Sequence, residues 1–352
     1  MVMIISLTCN IKTIPASEAN AESLQLFYKK MYPLRYDFLK DNWNWLNRSS
    51  YYNNQVPLVV ICKDQVIGHG GLIPVNLQVI NKTITATWFI DLAVLPEFRG
   101  QGLGNILVKK RMEFAEMQMT FPNDNSYRIF KKLGWIEHSS GFMHYIIILP
   151  FNHPRFAKWL PSAMRRILNI PFDIILGATY TKYAKQSTDK LLLKMDDRSL
   201  LSLYKQYENA KQTGDKAIIP VRDKDFINWR ITKSPNREGY YIYSTKSFSA
   251  LFYLNECKGN CIDILLLSDG NKLNEIRNML STVALFGKAR GSAYIRIFTT
   301  RIELSEYIKK HLKSILKIRK FYFTSRNIGL LKECMQSVWD LELIDSDFEY
   351  TK

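Results

Sequence analysis

Phe89-Ile-Asp-Leu-Ala-Val-Leu-Pro-Glu-Phe-Arg-Gly-Gln-Gly-Leu-Gly104 is an apolar run of strand character, ended by a proline and a turn with glycines at 100, 102 and 104. Behind it Ile106, Leu107, Met112, Phe114 and Ala115 recur at helical spacing, so the stretch predicts a strand, a glycine turn and a helix. Glycines permit positive φ and carry no Cβ, which lets consecutive backbone N–H groups converge on an anion at the helix N-terminus. Two familiar phosphate loops fit poorly. A dinucleotide-binding G-x-G-x-x-G, counted from Gly100, would need a third glycine where Asn105 stands, and no Gly-Lys-Ser/Thr follows as in a Walker A loop.

The pattern present is R-x-x-G-x-G, Arg99-Gly-Gln-Gly102-Leu-Gly104, after a Leu-Ala-Val-x-Pro strand end. A second pattern follows at Asn123-x-x-Ser126-x-x-x-Phe130-x-x-x-Gly134-Trp135. Together and in this order, with a strand between, they resemble the two motifs of the GNAT superfamily of acyl-CoA-dependent N-acyltransferases. That resemblance implies acetyl-CoA as co-substrate and no metal. It assigns the backbone of Leu92, Ala93 and Val94 to the pantetheine arm, the turn of Arg99, Gly100, Gln101, Gly102, Leu103 and Gly104 to the pyrophosphate, and Asn123 and Phe130 to the helix beside the thioester.

One position departs from the family. Its frequent general acid, a tyrosine four residues before the glycine of the second motif, is Phe130 here. Tyr127, one helical turn earlier, is the substitute candidate acid, with surface packing as its alternative. Asp91, a charge in an otherwise apolar strand, is the candidate base, with pairing to an arginine as its alternative.

Working outward, residues 1–151 read as one mixed α/β domain. It has a strand near Ile4–Leu7, helical spacing from Ala19 to Leu46, strands at Pro57–Cys62, Gly68–Ile80 and Ala86–Val94, a strand at Met117–Phe121, a helix at Ser126–Leu133 and a last strand over 141–151. A basic linker, 152–190, is broken by Pro154, Pro161 and Pro171. It holds Arg155, Phe156, Lys158, Trp159, Arg165 and Arg166, which suit a weak contact with an anionic membrane surface as well as cover for a domain junction. From 191 to 352 the element order begins again. The matching strand, Cys261–Ser268, runs into Asp269-Gly-Asn, with one glycine and an acid where the family has Arg or Gln. The expected architecture is therefore two tandem GNAT-like domains of mixed α/β class, the second degenerate and unable to bind coenzyme A.

Composition agrees. Of 352 residues 47% are hydrophobic and 23% charged, with 16 Gly and 12 Pro, which excludes disordered and collagen-like chains. No apolar run approaches the ~18 residues of a spanning helix, and the start shows no basic n-region or cleavage site, so the cytoplasm is the expected compartment. Five scattered cysteines argue against a disulfide scaffold, and Cys257 and Cys261 lack the further ligands a zinc site needs. The net charge of +17 sits mostly in the second half: residues 1–150 carry 15 basic and 11 acidic residues of the totals of 49 and 32. No run of five basic residues occurs, and nucleic acid is not the expected partner. His69 faces either the acceptor cleft or the core. Asp225-Phe-Ile-Asn-Trp-Arg230 resembles a segment of tandem GNAT-like proteins encoded among surface-polysaccharide genes, which implies an amine acceptor such as an amino sugar. The alternatives are a FemABX-like aminoacyl transferase and a non-catalytic acyl-CoA-binding or scaffold protein. Oligomeric state is not legible.

Overall fold

The computed structural model describes residues 10–47, 55–80, 82–184, 191–211, 217–255 and 260–346. In chain order they form β1 (Ile11–Pro15), α1 (Ala21–Met31), α2 (Tyr36–Leu46), β2 (Leu58–Cys62), β3 (Gln65–Val79), β4 (Lys82–Val94), α3 (Leu103–Arg111), β5 (Met117–Thr120), α4 (Tyr127–Lys132) and β6 (Ile136–Ile147). Next come α5 (Pro154–Ala157), α6 (Ser162–Ala184), β7 (Leu191–Lys194), α7 (Asp197–Lys211), β8 (Ala217–Pro220), α8 (Lys224–Ile227), β9 (Tyr240–Ser244), β10 (Ser249–Asn255) and β11 (Cys261–Leu267). The chain continues through α9 (Leu273–Ala289), β12 (Tyr294–Thr299), α10 (Ile302–Leu312), β13 (Ile315–Ser325), α11 (Ile328–Gln336) and β14 (Val338–Trp339). The class is mixed α/β, as expected.

Most expected elements are present, and the differences have local causes. The helical stretch from Ala19 to Leu46 is two helices, because Pro33 cannot continue the first. Asn20 caps α1 by accepting from the Ser23 amide at 2.9 Å. β2 and β3 form a hairpin whose two turn residues, Lys63 and Asp64, both take left-handed backbone (φ 49° and 63°), the geometry that matches the twist of paired strands. The strand near Ile4–Leu7 and Cys257 lie outside the described residues. The prolines of the expected linker do not prevent a helix: Pro154 opens α5, where no N–H is needed, and Pro171 is carried inside the 23-residue α6. Cys62 is disulfide-bonded, and Cys261 and Cys334 are buried thiols.

The chain divides into two compact units, and neither is a single consecutive stretch. One comprises residues 1–138 and 320–336, the other 139–319 and 337–352, so the divisions differ from the expected 1–151 and 191–352. In the first unit β1, β2, β3 and β4 pair antiparallel in sequence, β4 pairs parallel with β5, and β5 pairs antiparallel with β13 (Tyr322 opposite Thr120). The last strand of this sheet thus comes from 200 residues further along the chain. Its rings fill the interior: Phe321 packs on Trp88 (5.7 Å between centroids) and on Phe121 (5.4 Å), while Trp88 stacks on Phe121 at 5.2 Å.

The second unit has the same sequence of connections. The hairpin β10–β11 leads through α9 to β12, which pairs parallel with β11, as β3–β4 leads through α3 to β5. Its sheet is extended by β6 against β12 (Phe142 opposite Thr299) and by β9 and β7. Helices α6, α9 and α10 cover an apolar core that includes Phe252, Ile262, Met279, Val283 and Ile297. Buried ion pairs join its strands and its tail. Arg296 is bidentate to Asp263 on the facing strand at 2.7 Å, and Arg222 holds Asp345 at 2.9 and 2.5 Å. Arg230 donates to the carbonyls of Ile344 and Ser346, so the aromatic and basic segment 225–230 serves the fold.

Because Phe321 is buried among rings of the first unit, Phe321→Ala should lower the unfolding free energy by about 3–5 kcal/mol. Urea denaturation measures it. A loss under about 1 kcal/mol would mean that β13 is not part of that core.

Candidate functional site

β4 carries a residue in a conformation that strands avoid. Asp91 has φ 48°, and two residues, Asp91 and Leu92, stand opposite the single Gly70 of β3. This is a β-bulge with a non-glycine residue in the left-handed region, which the surroundings must hold in place. Just before it β4 leaves β5. The parallel pairing covers Ala86 to Trp88 opposite Met117 to Met119, after which the Thr120 hydroxyl, and not a strand amide, donates to the Phe89 carbonyl at 2.9 Å. Past that point Leu92, Ala93 and Val94 line a cleft of about 750 Å³ between the diverging strands.

The glycine turn closes one end of this cleft. Gly100 and Gly102 have φ of 81° and 77°, and open space lies where their Cβ atoms would be. Gly102 is the N-cap of α3, so the first-turn amides are free of helical partners and face an approach that no side chain blocks. Gly104 is a glycine for a different reason: a Cβ there would come within 2.8 Å of Ile129 Cδ1, and its absence lets α3 pack against α4. Arg99 is exposed and donates through Nε to the Val94 carbonyl at 3.1 Å, which anchors it at the rim and adds positive charge. On the opposite wall Asn123 accepts from the Asn125 and Ser126 amides at 3.0 Å each, fixing the loop that precedes α4.

Of the residues read from sequence, Leu92, Ala93, Val94, Arg99, Gly100, Gly102, Leu103, Gly104 and Asn123 all line the cleft. Gln101 is exposed and Tyr127 half-buried, both outside the lining. Phe130 is fully buried, packed on Trp135 at 4.7 Å in a cluster with Phe89, Val108 and Tyr322, so it supports the strand and helix from behind. Asp91 is ion-paired: its Oδ1 accepts from Arg35 Nη1 at 2.6 Å, with both side chains under 10% exposed.

The residues that sequence reading did not find come from α1, the link after it, α2 and the end of α3, and they surround the bulge. Trp43 Nε1 donates to the Tyr28 hydroxyl at 2.6 Å, and Tyr28 lies 2.9 Å from His69 Nε2. His69 Nδ1 lies 3.1 Å from the Asp91 carbonyl. A carbonyl can only accept, so Nδ1 carries the proton and Nε2 receives the Tyr28 hydroxyl hydrogen. The relay runs in one direction and ends on the backbone of the bulge. Burial lowers the His69 pKa to about 4 and raises that of Tyr28, so both are neutral near pH 7. Arg111 lies beneath, wholly buried with no carboxylate partner among the described residues. It donates to the Gly71 carbonyl at 2.6 Å and sits 4.1 Å from the Phe89 ring centroid, and burial lowers its pKa to about 9. A Cβ at Gly70 would come within 2.6 Å of the Arg111 guanidinium carbon, so the glycine makes room for it. Tyr32 lines the cleft, and its hydroxyl is buried without a hydrogen-bond partner. Burial and the nearby Asp91 charge raise its pKa well above that of a free phenol. A local signal was present only in Arg111, at the inward position after Leu103, Leu107 and Val108 on α3; Tyr28 is on α1, whereas Tyr32 and Arg35 lie in the link between α1 and α2.

His69 is neutral in the fold and protonates in the unfolded chain near pH 6.5. Its contribution is therefore complete above pH 6.5 and is lost as pH falls toward 4, a difference of about 3 kcal/mol. His69→Gln should lower stability at pH 7 but show a shallower decline from pH 6.5 to 4. His144, lowered likewise to about 4, and His138 and His153, lowered by burial too, keep part of the slope in the variant. Parallel stability curves for the two proteins would show that His69 titrates normally.

Residues 18–135 match the family described as the acetyltransferase (GNAT) family. Among proteins of curated function, none matches the sequence. Solved structures share the fold. A GCN5-related N-acetyltransferase from Kribbella flavida is 11% identical with a TM-score of 0.58, covering 90% of this chain and 71% of its own. N-myristoyltransferase of Saccharomyces cerevisiae with bound myristoyl-CoA is 12% identical with a TM-score of 0.56, covering 92% and 80%. A putative acetyltransferase from Pyrococcus horikoshii is 11% identical with a TM-score of 0.51, covering 90% of each chain. With the two motifs, the bulged strand and the glycine turn of the first unit, the match places residues 18–135 in the acetyltransferase (GNAT) family.

Proposed function

We propose that the cleft of the first unit binds acetyl-CoA and that the protein transfers the acetyl group to a primary amine. The observation that carries this reading is the cleft itself, walled by Leu92–Val94, closed by the left-handed glycines 100 and 102 and lined along its length by Tyr32, Asn123 and Ser126. The first-turn amides of α3 and the guanidinium of Arg99 suit a pyrophosphate, and the unpaired edge of β4 suits the amide groups of the pantetheine arm.

In the reaction the amine nitrogen attacks the thioester carbonyl, a C–N bond forms, the C–S bond breaks and the coenzyme leaves as thiolate. One proton leaves nitrogen and one reaches sulfur. Asp91 is the proposed acceptor of the first, with Arg35 fixing its carboxylate at the bulge. For the charge that develops on oxygen and then sulfur, Tyr32 is the better candidate donor than Tyr127. The residue lines the cleft, its buried hydroxyl has no hydrogen-bond partner among the described residues, and it keeps its proton at working pH. Positioning supplies most of the rate, and proton transfers contribute about 10²–10⁴-fold.

The second unit, on this reading, does not bind coenzyme A. Its turn between β11 and α9 has no left-handed glycine, and the space a Cβ would take at Gly270 is filled by the guanidinium of Arg301, which is ion-paired with Asp340. The acceptor we propose is an amino sugar of surface-polysaccharide biosynthesis, supported by the resemblance of residues 225–230, and the site of action is the cytoplasm. Phe130, without a hydroxyl and buried, supports a second reading, acyl-CoA binding without turnover.

Release of free thiol from acetyl-CoA across a panel of amino sugars, amino acids and polyamines tests the activity, with longer acyl-CoA donors in parallel. Turnover only with long-chain donors would replace acetyl, and tight binding without thiol release from any donor would select the second reading. Gly102→Val should weaken acetyl-CoA binding by at least about tenfold in calorimetry, because a β-branched residue resists φ near 77° and obstructs the amides. Unchanged affinity in the folded variant would remove the pyrophosphate site. Asp91→Asn should lower turnover about 10²-fold or more with coenzyme affinity nearly intact, and Tyr32→Phe should cost more than Tyr127→Phe. Rates like the parent in both Asp91→Asn and Tyr32→Phe would sink both proton-transfer roles.

A further inference from the structure

A surface helix normally shows an apolar stripe to the core and a polar face to water. Helix α6 shows apolar faces to both. Its inward side, with Leu176, Tyr180 and Ala184 buried, packs against α9. Its outward side carries Met164, Ile167, Ile170, Ile174 and Ile175, each between 50% and 67% exposed. Positions 167, 170 and 174 follow helical spacing, so they form one continuous strip. In the chain just before α6, Trp159 is 84% exposed and Phe156 41%. A patch of this kind on a folded chain marks an interaction surface.

The charges around the strip are of one sign. Arg155, Lys158, Arg165 and Arg166 precede or enter the helix, and no acid lies between residues 153 and 172. The acid within the helix, Asp173, is neutralised by Lys288 at 2.6 Å. We propose that this face docks on an anionic lipid surface, with the strip and Trp159 entering the headgroup boundary and the basic residues meeting lipid phosphates. Among described residues no helix is long and apolar enough to cross a membrane, so the contact is one that lies on the surface. A bilayer with anionic headgroups satisfies both the apolar strip and its basic flank. A second copy of the chain would cover the strip but bring like charge to like, since the chain carries +17. The inference stands apart from the chemistry proposed for the cleft, and neither needs the other.

Flotation of the whole protein with phosphatidylcholine vesicles, with and without about 30 mol % phosphatidylglycerol, tests it at about 100 mM NaCl. The protein should float with the anionic vesicles and bind neutral ones at least about tenfold more weakly. Two variants at exposed positions, Ile167→Glu/Ile174→Glu and Lys158→Glu/Arg166→Glu, should each lose at least about tenfold in binding to anionic vesicles at an unchanged melting temperature. Equal binding to both vesicle types, or variants that bind as the parent does, would overturn the proposal. So would absence of flotation, and a dimer in sedimentation velocity that Ile167→Glu/Ile174→Glu dissociates would then assign the face to a second copy.

Discussion

One left-handed residue in the middle of a strand sets the geometry of the first unit. Asp91 at φ 48° forces β4 out of register with β3, turns it away from β5 and so opens the space that the cleft occupies. A conformation of this kind costs about 1–3 kcal/mol for a non-glycine residue. It is held from two sides. Arg35 grips the side chain, and His69, oriented by Tyr28 and Trp43, holds the backbone carbonyl. The interior beneath is a second support, in which the Arg111 guanidinium fills the room left by Gly70 and ties to the Gly71 carbonyl.

The polarity of this support is unusual for a core and carries its own logic. An unpaired buried guanidinium is costly unless its hydrogens reach carbonyls and its face meets a ring, and Arg111 has both. The histidine is kept neutral by burial, so the relay from Trp43 to the Asp91 carbonyl has every hydrogen pointing one way. Rigid placement of the bulge is the result, and rigid placement is what direct attack on a held thioester asks of a protein.

The glycine turn was legible in the sequence because its glycines act locally: φ near 80° at 100 and 102 is demanded by the turn itself. Strands β2 and β3 were legible from alternation, β4 from its apolar run, and α3 and α4 from spacing. The network around Asp91 was not, because Arg35 and Asp91 meet across 56 positions and nothing in either neighbourhood announces the other. Phe130 was read as a cleft residue from its place in a motif, whereas the turn of α4 carries its ring into the core beside Trp135. The interleaving of the units was invisible for a related reason: an apolar strand such as Phe321–Thr324 carries the same pattern whichever sheet it joins. Within the segment read as a linker, prolines suggested breaks, and only the three-dimensional fold shows that two of them are accommodated by helices.

The exchange of strands has a consequence for how the protein comes into being. The sheet that bears the cleft is not complete until β13 is available, and β13 begins at residue 315 of 352. During synthesis the first unit therefore waits, with the β5 edge and the rings of Trp88 and Phe121 uncovered, until about 200 further residues have been made. Pairings between segments 200 residues apart are slow to form and leave sticky intermediates in the meantime. A nascent chain of this topology has a long period of vulnerability built into it, and a premature stop anywhere before residue 325 would yield no finished N-terminal sheet at all.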